Sequence, residues 1–300
     1  MAKKIIYIPT LSDSPADFEK LFEVGNEVYK AKGEISFNFS KCRSLKPNAV
    51  AFIGGLARFS ESQGVESIFD WESLESDSVR SMLAENNFAA AFNGSSQKSL
   101  ENAIPYREDK KMSVDGIMGY LVDYWLRKGW VQLSIRLSNA IAGKMWEVYN
   151  NAFEHSGTSI GVFSCGQHFD SNELVLTVVD FGLGIPAKVR SFLSKKDSRA
   201  KRLTDASCLR WAFQRGNSTN TEEVPRGLGL DLLKEFIRVN EGKLEVYSNQ
   251  SYAIINKDGE FYMDRYTAFG GTMIHITLRC DESLYKFKDE VDPVFQEVLT

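Results

Sequence analysis

An α/β (α+β) fold is predicted by three features of this chain. Strand-like and helix-like segments alternate through its first third. A long helical stretch around KMWEVYNNAFEHS (144–156) has one broad apolar side. Behind it, two apolar runs at 160–165 and 173–180 have the length and β-branched content of sheet strands. The 300 residues suffice for two ordinary domains or one large one, and 43% hydrophobic with 25% charged residues is the composition of a soluble globular protein.

Taken in order, residues 4–8 read as a short strand and 15–31 as an amphipathic helix ending near Gly33. EISFNF (34–39) alternates as a strand, 47–59 has the small and apolar residues of a helix, and 67–71 reads as another strand. A helical pattern over 77–92 opens at a Ser/Asp cap. Residues 1–95 therefore form a small α/β layer domain, without a glycine-rich phosphate loop or an acid–base pair. Residues 96–113 are polar and carry Pro105, which marks a linker. A helical segment runs from Val114 towards Gly129, and a long helix starts near Val131. The last strands fall at 243–247 and 271–278, and the acidic tail, 281–300, reads as helical.

Candidate chemistry collects in the second half. In the long helix Ile141, Met145, Val148 and Ala152, flanked by Ala142, Trp146, Tyr149 and Phe153, form the apolar arc. Glu147, Asn151 and His155 follow one another every four residues on the other side. An acid, an amide oxygen and an imidazole in line can hold a metal and orient a water, or can simply be a solvated face. The strand at 173–180 ends on Asp180 and enters Phe181-Gly182-Leu183-Gly184-Ile185-Pro186, where two glycines let the backbone approach a flat ligand or merely make a strand-to-helix turn. Gly227-Leu228-Gly229 opens an amphipathic helix, either as an anion cradle of free N–H groups or as a plain glycine cap. Between the clusters, 195–225 is a long polar connection of the kind that forms mobile functional segments.

Composition excludes several classes. The formal charge of −4 argues against a dominant electrostatic attraction to nucleic acid or anionic membrane. No apolar run approaches the ~20 residues that span a bilayer, and MAKKIIYIPT, interrupted by Pro9, is too short in apolar residues for a signal peptide. Four cysteines without CxxC spacing read as reduced core thiols of a cytoplasmic protein, and three dispersed histidines do not suggest zinc. Among nucleotide folds, GxxxxGK[ST] is absent. Asp180-Phe181-Gly182 lacks the HRD loop and strand lysine of protein kinases. Gly227-x-Gly229 lacks the third glycine and preceding strand of a dinucleotide fold, with Leu232 in the glycine's place.

Glu147-x-x-x-Asn151-Ala152, Asp180-x-Gly182-x-Gly184, Gly227-x-Gly229 and Gly271-Thr272 before a last strand, in that order, resemble the GHKL (histidine-kinase-like) ATPase superfamily. The form EVYNNAFEHS is most similar to its anti-sigma-factor serine kinases. Over 114–280 the resemblance implies a Bergerat-type α/β sandwich with helices on one face of a mixed sheet, binding ATP and Mg²⁺. It implies that Asn151 ligates the metal, that Glu147 orients or deprotonates the attacking water or hydroxyl, and that Asp180, aided by Thr272 through a water, accepts the adenine amine. Gly182 and Gly184 would let the base lie against the chain, Gly227, Leu228 and Gly229 would offer N–H groups to the phosphates, and Ser218 and Thr219 would belong to a lid. His155 would support the pocket.

Residues 1–93, read as strand, strand, helix, strand, helix around SFNFSKCRSLKPNAVAFIGGLAR, resemble the STAS domain, with only Ser44 at the place of its phosphorylatable residue and the neighbouring acid and glycine missing. The expectation is a cytoplasmic, bacterial-type signalling or regulatory ATPase. It would hydrolyse ATP slowly or transfer its phosphoryl group to a Ser/Thr of a protein partner docked on the N-terminal domain. The alternative is an ATP-binding interaction module without turnover. The oligomeric state stays open, a homodimer included.

Overall fold

The computed structural model describes residues 3–97, 102–155, 157, 159–219 and 229–290. The chain is α+β, built around two sheets, with parallel pairing confined to one and antiparallel pairing to the other. The first sheet takes β1 (Lys3–Tyr7), β2 (Glu34–Asn38) and β3 (Ser67–Asp70), in that order. They are connected through α1 (Pro15–Tyr29) and α2 (Pro47–Ser62). α1 starts where Ser14 accepts a hydrogen bond from Asp17 N and Pro15 occupies the first turn, the usual chemistry of a helix start.

A helix thus stands between β1 and β2, and the two strands pair in parallel. The strand–strand opening expected for a STAS domain is absent among the described residues, so that part of the resemblance finds no support. Ser44 lies in the exposed loop between β2 and α2. The helix expected over 77–92 is two helices, α3 (Asp77–Glu85) and α4 (Phe88–Asn93), because Asn87 adopts φ +62°.

The second sheet has the order β4-β5-β6-β8-β7. Its strands are β4 (Ala103–Asp109), β5 (Val162–Phe169), β6 (Glu173–Asp180), β7 (Lys243–Asn256) and β8 (Gly259–Arg279). β4 corrects the expected linker: these residues pair antiparallel with β5 as an edge strand. Pro105 sits where the register shifts between Ile104 and Arg107, the edge-and-bulge position that a sheet tolerates for proline. β7 and β8 form a hairpin much longer than the two short strands expected.

Alternate residues of β6 and β8 face two different cores, which is why ELVLTVVD reads as a continuous apolar run. On one face lie α5 (Val114–Gly119), a π-helical turn (Tyr120–Leu126), α6 (Ile135–His155), α8 (Asp205–Phe213) and α9 (Gly229–Val239). α6 buries Ile141, Ala142, Met145, Tyr149 and Ala152 and packs Trp146, Val148 and Phe153 against the same core, so the predicted apolar arc is the buried one. The other face is covered by α1 and α2, and the core is continuous from β2 through both helices to β5, β6 and β8. Phe18 stacks on Tyr247 at 4.3 Å and Phe22 on Phe269 at 5.0 Å. The N-terminal layer and the second sheet are therefore one packed body, with helices on both faces of that sheet.

The tail also differs from expectation. Residues 281–290 are not helical; Tyr285 N donates to Gln132 O at 2.9 Å, Ser134 N donates to Tyr285 O at 2.9 Å, and Tyr285 packs edge-on to Phe236. Residues 291–300 lie outside the described part. No described helix is long and apolar enough to cross a membrane. All four cysteines are free, three of them buried.

Candidate functional site

The α6 face of the second sheet opens into a cleft of about 200 Å³. Its floor is the end of β6 beside β8, where Asp180 and Thr272 are direct partners in the ladder. One wall is α6, contributing Glu147, Val148, Asn151 and Ala152. The opposite wall is α7 (Ile185–Ser194), contributing Ile185, Lys188 and Val189. Trp211 and Phe213 of α8, the segment Asn217–Thr219, and Leu230 and Asp231 of α9 complete it. The cleft is apolar inside, with a small number of polar groups placed around it, the usual character of a small-molecule site.

The turn after Asp180 is held by hydrogen bonds that account for its glycines. Gly182 N donates to Asp180 Oδ1 at 2.9 Å. Gly184 has φ +78° and abuts Asn249, where a Cβ would stand 2.6 Å from Oδ1. Ile185 N donates to Ser248 Oγ at 2.9 Å, and Ser248 Oγ reaches Gly271 O at 2.8 Å and Thr272 Oγ1 at 3.1 Å. Gly271, at φ +130°, leaves no room for a side chain, because a Cβ would meet Asp180 O at 2.1 Å. β7 thus pins the start of α7 through Ser248 and Asn249, and β8 lies tight against Asp180.

Burial pushes the Asp180 carboxyl up to about 7; the Gly182 N–H, Lys188 and the Thr272 backbone pull in the other direction. Burial lowers the Lys188 ammonium to about 8, against the attraction of Asp180 and Glu154. Glu147 is engaged by Lys144 Nζ at 2.9 Å and its side chain is 39% exposed. Asn151 is exposed at the mouth of the cleft.

The cleft brings together Glu147, Asn151, Asp180, Gly184, Ser218, Thr219 and Thr272. Gly182 stands beside it through its bond to Asp180, and Gly229 opens α9. Gly227, Leu228 and the His155 side chain lie outside the described residues. The polar connection expected over 195–225 is largely ordered. It contains a 3₁₀ turn (Ser198–Arg202) and α8, which buries Ala206, Cys208, Leu209 and Phe213. Asp205 at the start of α8 accepts from Gln250 N, which fastens the segment to β7. The lid expectation is thereby confined to the residues after α8.

Sequence reasoning missed Lys188, Ser248, Asn249 and Trp211. A lysine on a helix reads as a solvated face. The one local signal for the β7 pair was the polar run Ser248-Asn249-Gln250-Ser251 interrupting an apolar strand.

No protein-family model matches the chain, and no curated protein matches it. Among solved structures it is similar to the histidine kinase domain from the Erythrobacter litoralis EL346 blue-light activated histidine kinase. The identity is 14%, covering 88% of this chain and 93% of that chain, with a TM-score of 0.27. A superposition that loose carries no argument about function.

Proposed function

We propose that the cleft binds ATP with Mg²⁺ and that the protein is a regulatory ATPase or protein kinase of the histidine-kinase-like type. The observation that carries the reading is convergence. Side chains from α6, β6, β8 and the segment after α8, far apart in sequence and singled out by motif, meet in one cleft. In this reading Asp180 receives the exocyclic amine of the base, Thr272 supports it from the neighbouring strand, and the apolar walls Val148, Ile185 and Leu230 enclose the ring. Gly182 and Gly184 shape the turn beneath the base, Ser218 and Thr219 close over the nucleotide, and Gly227, Leu228 and Gly229 take its phosphates.

The donor set fits magnesium. Among the described residues no group of three or more His, Cys, Asp or Glu forms a metal cage. Glu147 and Asn151 offer hard oxygens one helical turn apart, which suits an ion that takes few protein ligands and fills its shell from phosphates and water. Asn151 would hold it; when bound, it neutralises phosphate charge. Glu147 is the group able to orient or deprotonate a water or hydroxyl.

A second reading is binding without turnover, favoured by the ion pair between Lys144 and Glu147, which ties up the only acid assigned to chemistry. Incubation with γ-labelled ATP, with and without candidate partners, separates the outcomes. Label on protein means a kinase, free phosphate a hydrolase, and bound but intact ATP the second reading. Glu147→Ala should abolish turnover and leave affinity within about threefold; loss of binding would refute the role given to Glu147. Helices α1 and α2 of the N-terminal layer are occupied by the second sheet. A protein partner docking on this layer would therefore meet its outer strand face, where Ile5, Tyr7 and Ile68 are exposed.

A further inference from the structure

Among the described residues Lys188 is the one basic side chain that lines the cleft, and the roles above give it no task. It lies in the first turn of α7, whose position is fixed by the bonds of Ile185 and Ala187 to Ser248 and Asn249. The side chain is half-buried and lines the cleft together with Asp180. The acids that act on its ammonium are Asp180 and Glu154. Among the described residues neither a hydrogen bond nor an ion pair engages it.

An ammonium and a carboxyl sharing a partly desolvated cleft would ordinarily close into a pair, since each is costly to leave unsatisfied. Here they remain apart. A flat heterocycle between them would need a donor facing Asp180 and, beside it, an acceptor facing Lys188. The adenine edge has that pattern, with the 6-amine as donor and ring nitrogen N1 as the adjacent acceptor. The Gly182 N–H and the Thr272 backbone already hold the Asp180 carboxyl in place, and it keeps lone pairs for the amine. In the same pose guanine would turn O6, an acceptor, toward the Asp180 carboxylate and N1–H, a donor, toward the Lys188 ammonium, so neither bond would form.

We propose that Lys188 is a specificity-determining residue that donates a hydrogen bond to N1 of a 6-aminopurine whose amine is held by Asp180. The proposal rests on the nucleotide reading of the cleft and adds to it the residue that reads N1 of the base.

Calorimetric titration of the full chain with ATP, adenosine, 1-deazaadenosine and GTP tests it. Wild type should bind adenosine about tenfold or more tightly than 1-deazaadenosine, which has C–H in place of N1, the loss expected for a charge-assisted hydrogen bond. Lys188→Met should weaken ATP and adenosine by that same factor and leave 1-deazaadenosine unchanged, and GTP should bind more weakly than ATP throughout. Equal affinity of wild type for adenosine and 1-deazaadenosine overturns the proposal, with no variant required to fold. A Lys188→Met loss seen with ATP but not adenosine also overturns it, because the ammonium then serves the phosphates. Preference for GTP does the same. In each of these failures nucleotide still binds and the broader reading stands; absence of ATP binding by wild type removes both together.

Discussion

Asp180 concentrates the physical chemistry of the site in one side chain. It is 7% exposed, it closes the inner end of the cleft, and burial raises its carboxyl from 3.8 to about 7. A folded-state value above the unfolded one means that the folded protein binds the extra proton. The associated stability is fully present below pH 4 and is lost as pH rises to about 7, by an upper bound of roughly 4 kcal/mol. Asn cannot ionise, and its amide oxygen can still accept from Gly182 N. Asp180→Asn is therefore expected to melt at a higher temperature than wild type at pH 8 and at a similar temperature near pH 4, while binding ATP more weakly. An unchanged melting temperature at pH 8 would show that the carboxylate is not desolvated in the free protein. At this scale Glu147, Asn151, Asp180 and Thr272, singled out by residue type and spacing, line one cleft. Lys188 was not singled out, since its place in that cleft comes from the tertiary position of α7.

Turn chemistry and strand ends decide how much of each element can be read. β6 and the apolar arc of α6 were legible, because a long unbroken period survives any tertiary context. β4 was hidden by Pro105, which an edge strand with a register shift accommodates. α8 was hidden by a polar composition that conceals its buried Ala206, Cys208, Leu209 and Phe213. The glycines beside Asp180 have a structural duty that their motif does not express. Gly271→Ala forces a Cβ against Asp180 O in a backbone region that favours glycine. The expected cost is roughly 2 kcal/mol or more, read as a fall in denaturation midpoint. An unperturbed midpoint would mean that β8 can withdraw from β6 at little cost.

Across the whole molecule, the N-terminal layer serves as the second wall of the sheet that carries the cleft. Gly55 of α2 lets the helix lie against Phe163 and Phe181; a Cβ there would stand 2.3 Å from the Phe181 ring, one residue after Asp180. Because α1 and α2 share their core with β5, β6 and β8, the chain should unfold as one unit. Phe22→Ala, which removes a ring stacked on Phe269 and edge-on to Phe52, is expected to cost roughly 3–5 kcal/mol and to shift a single transition seen alike by calorimetry and circular dichroism. Two transitions, with only the first displaced, would mean that the layers fold independently. The α/β character of both halves was legible in the sequence. Their union was not, because it depends on aromatic side chains from distant segments meeting across the interface, which no local pattern records.

In the proposed complex the cleft between α6 and α7 seats an adenine nucleotide with its base on Asp180. Its most direct test is a crystal structure of the full chain with a non-hydrolysable ATP analogue and Mg²⁺. The expected result is density for the base between Asp180 and Thr272, with the phosphates running toward Asn151. Density for the analogue elsewhere on the protein, or a cleft filled only by water at saturating ligand, would rule out this binding site.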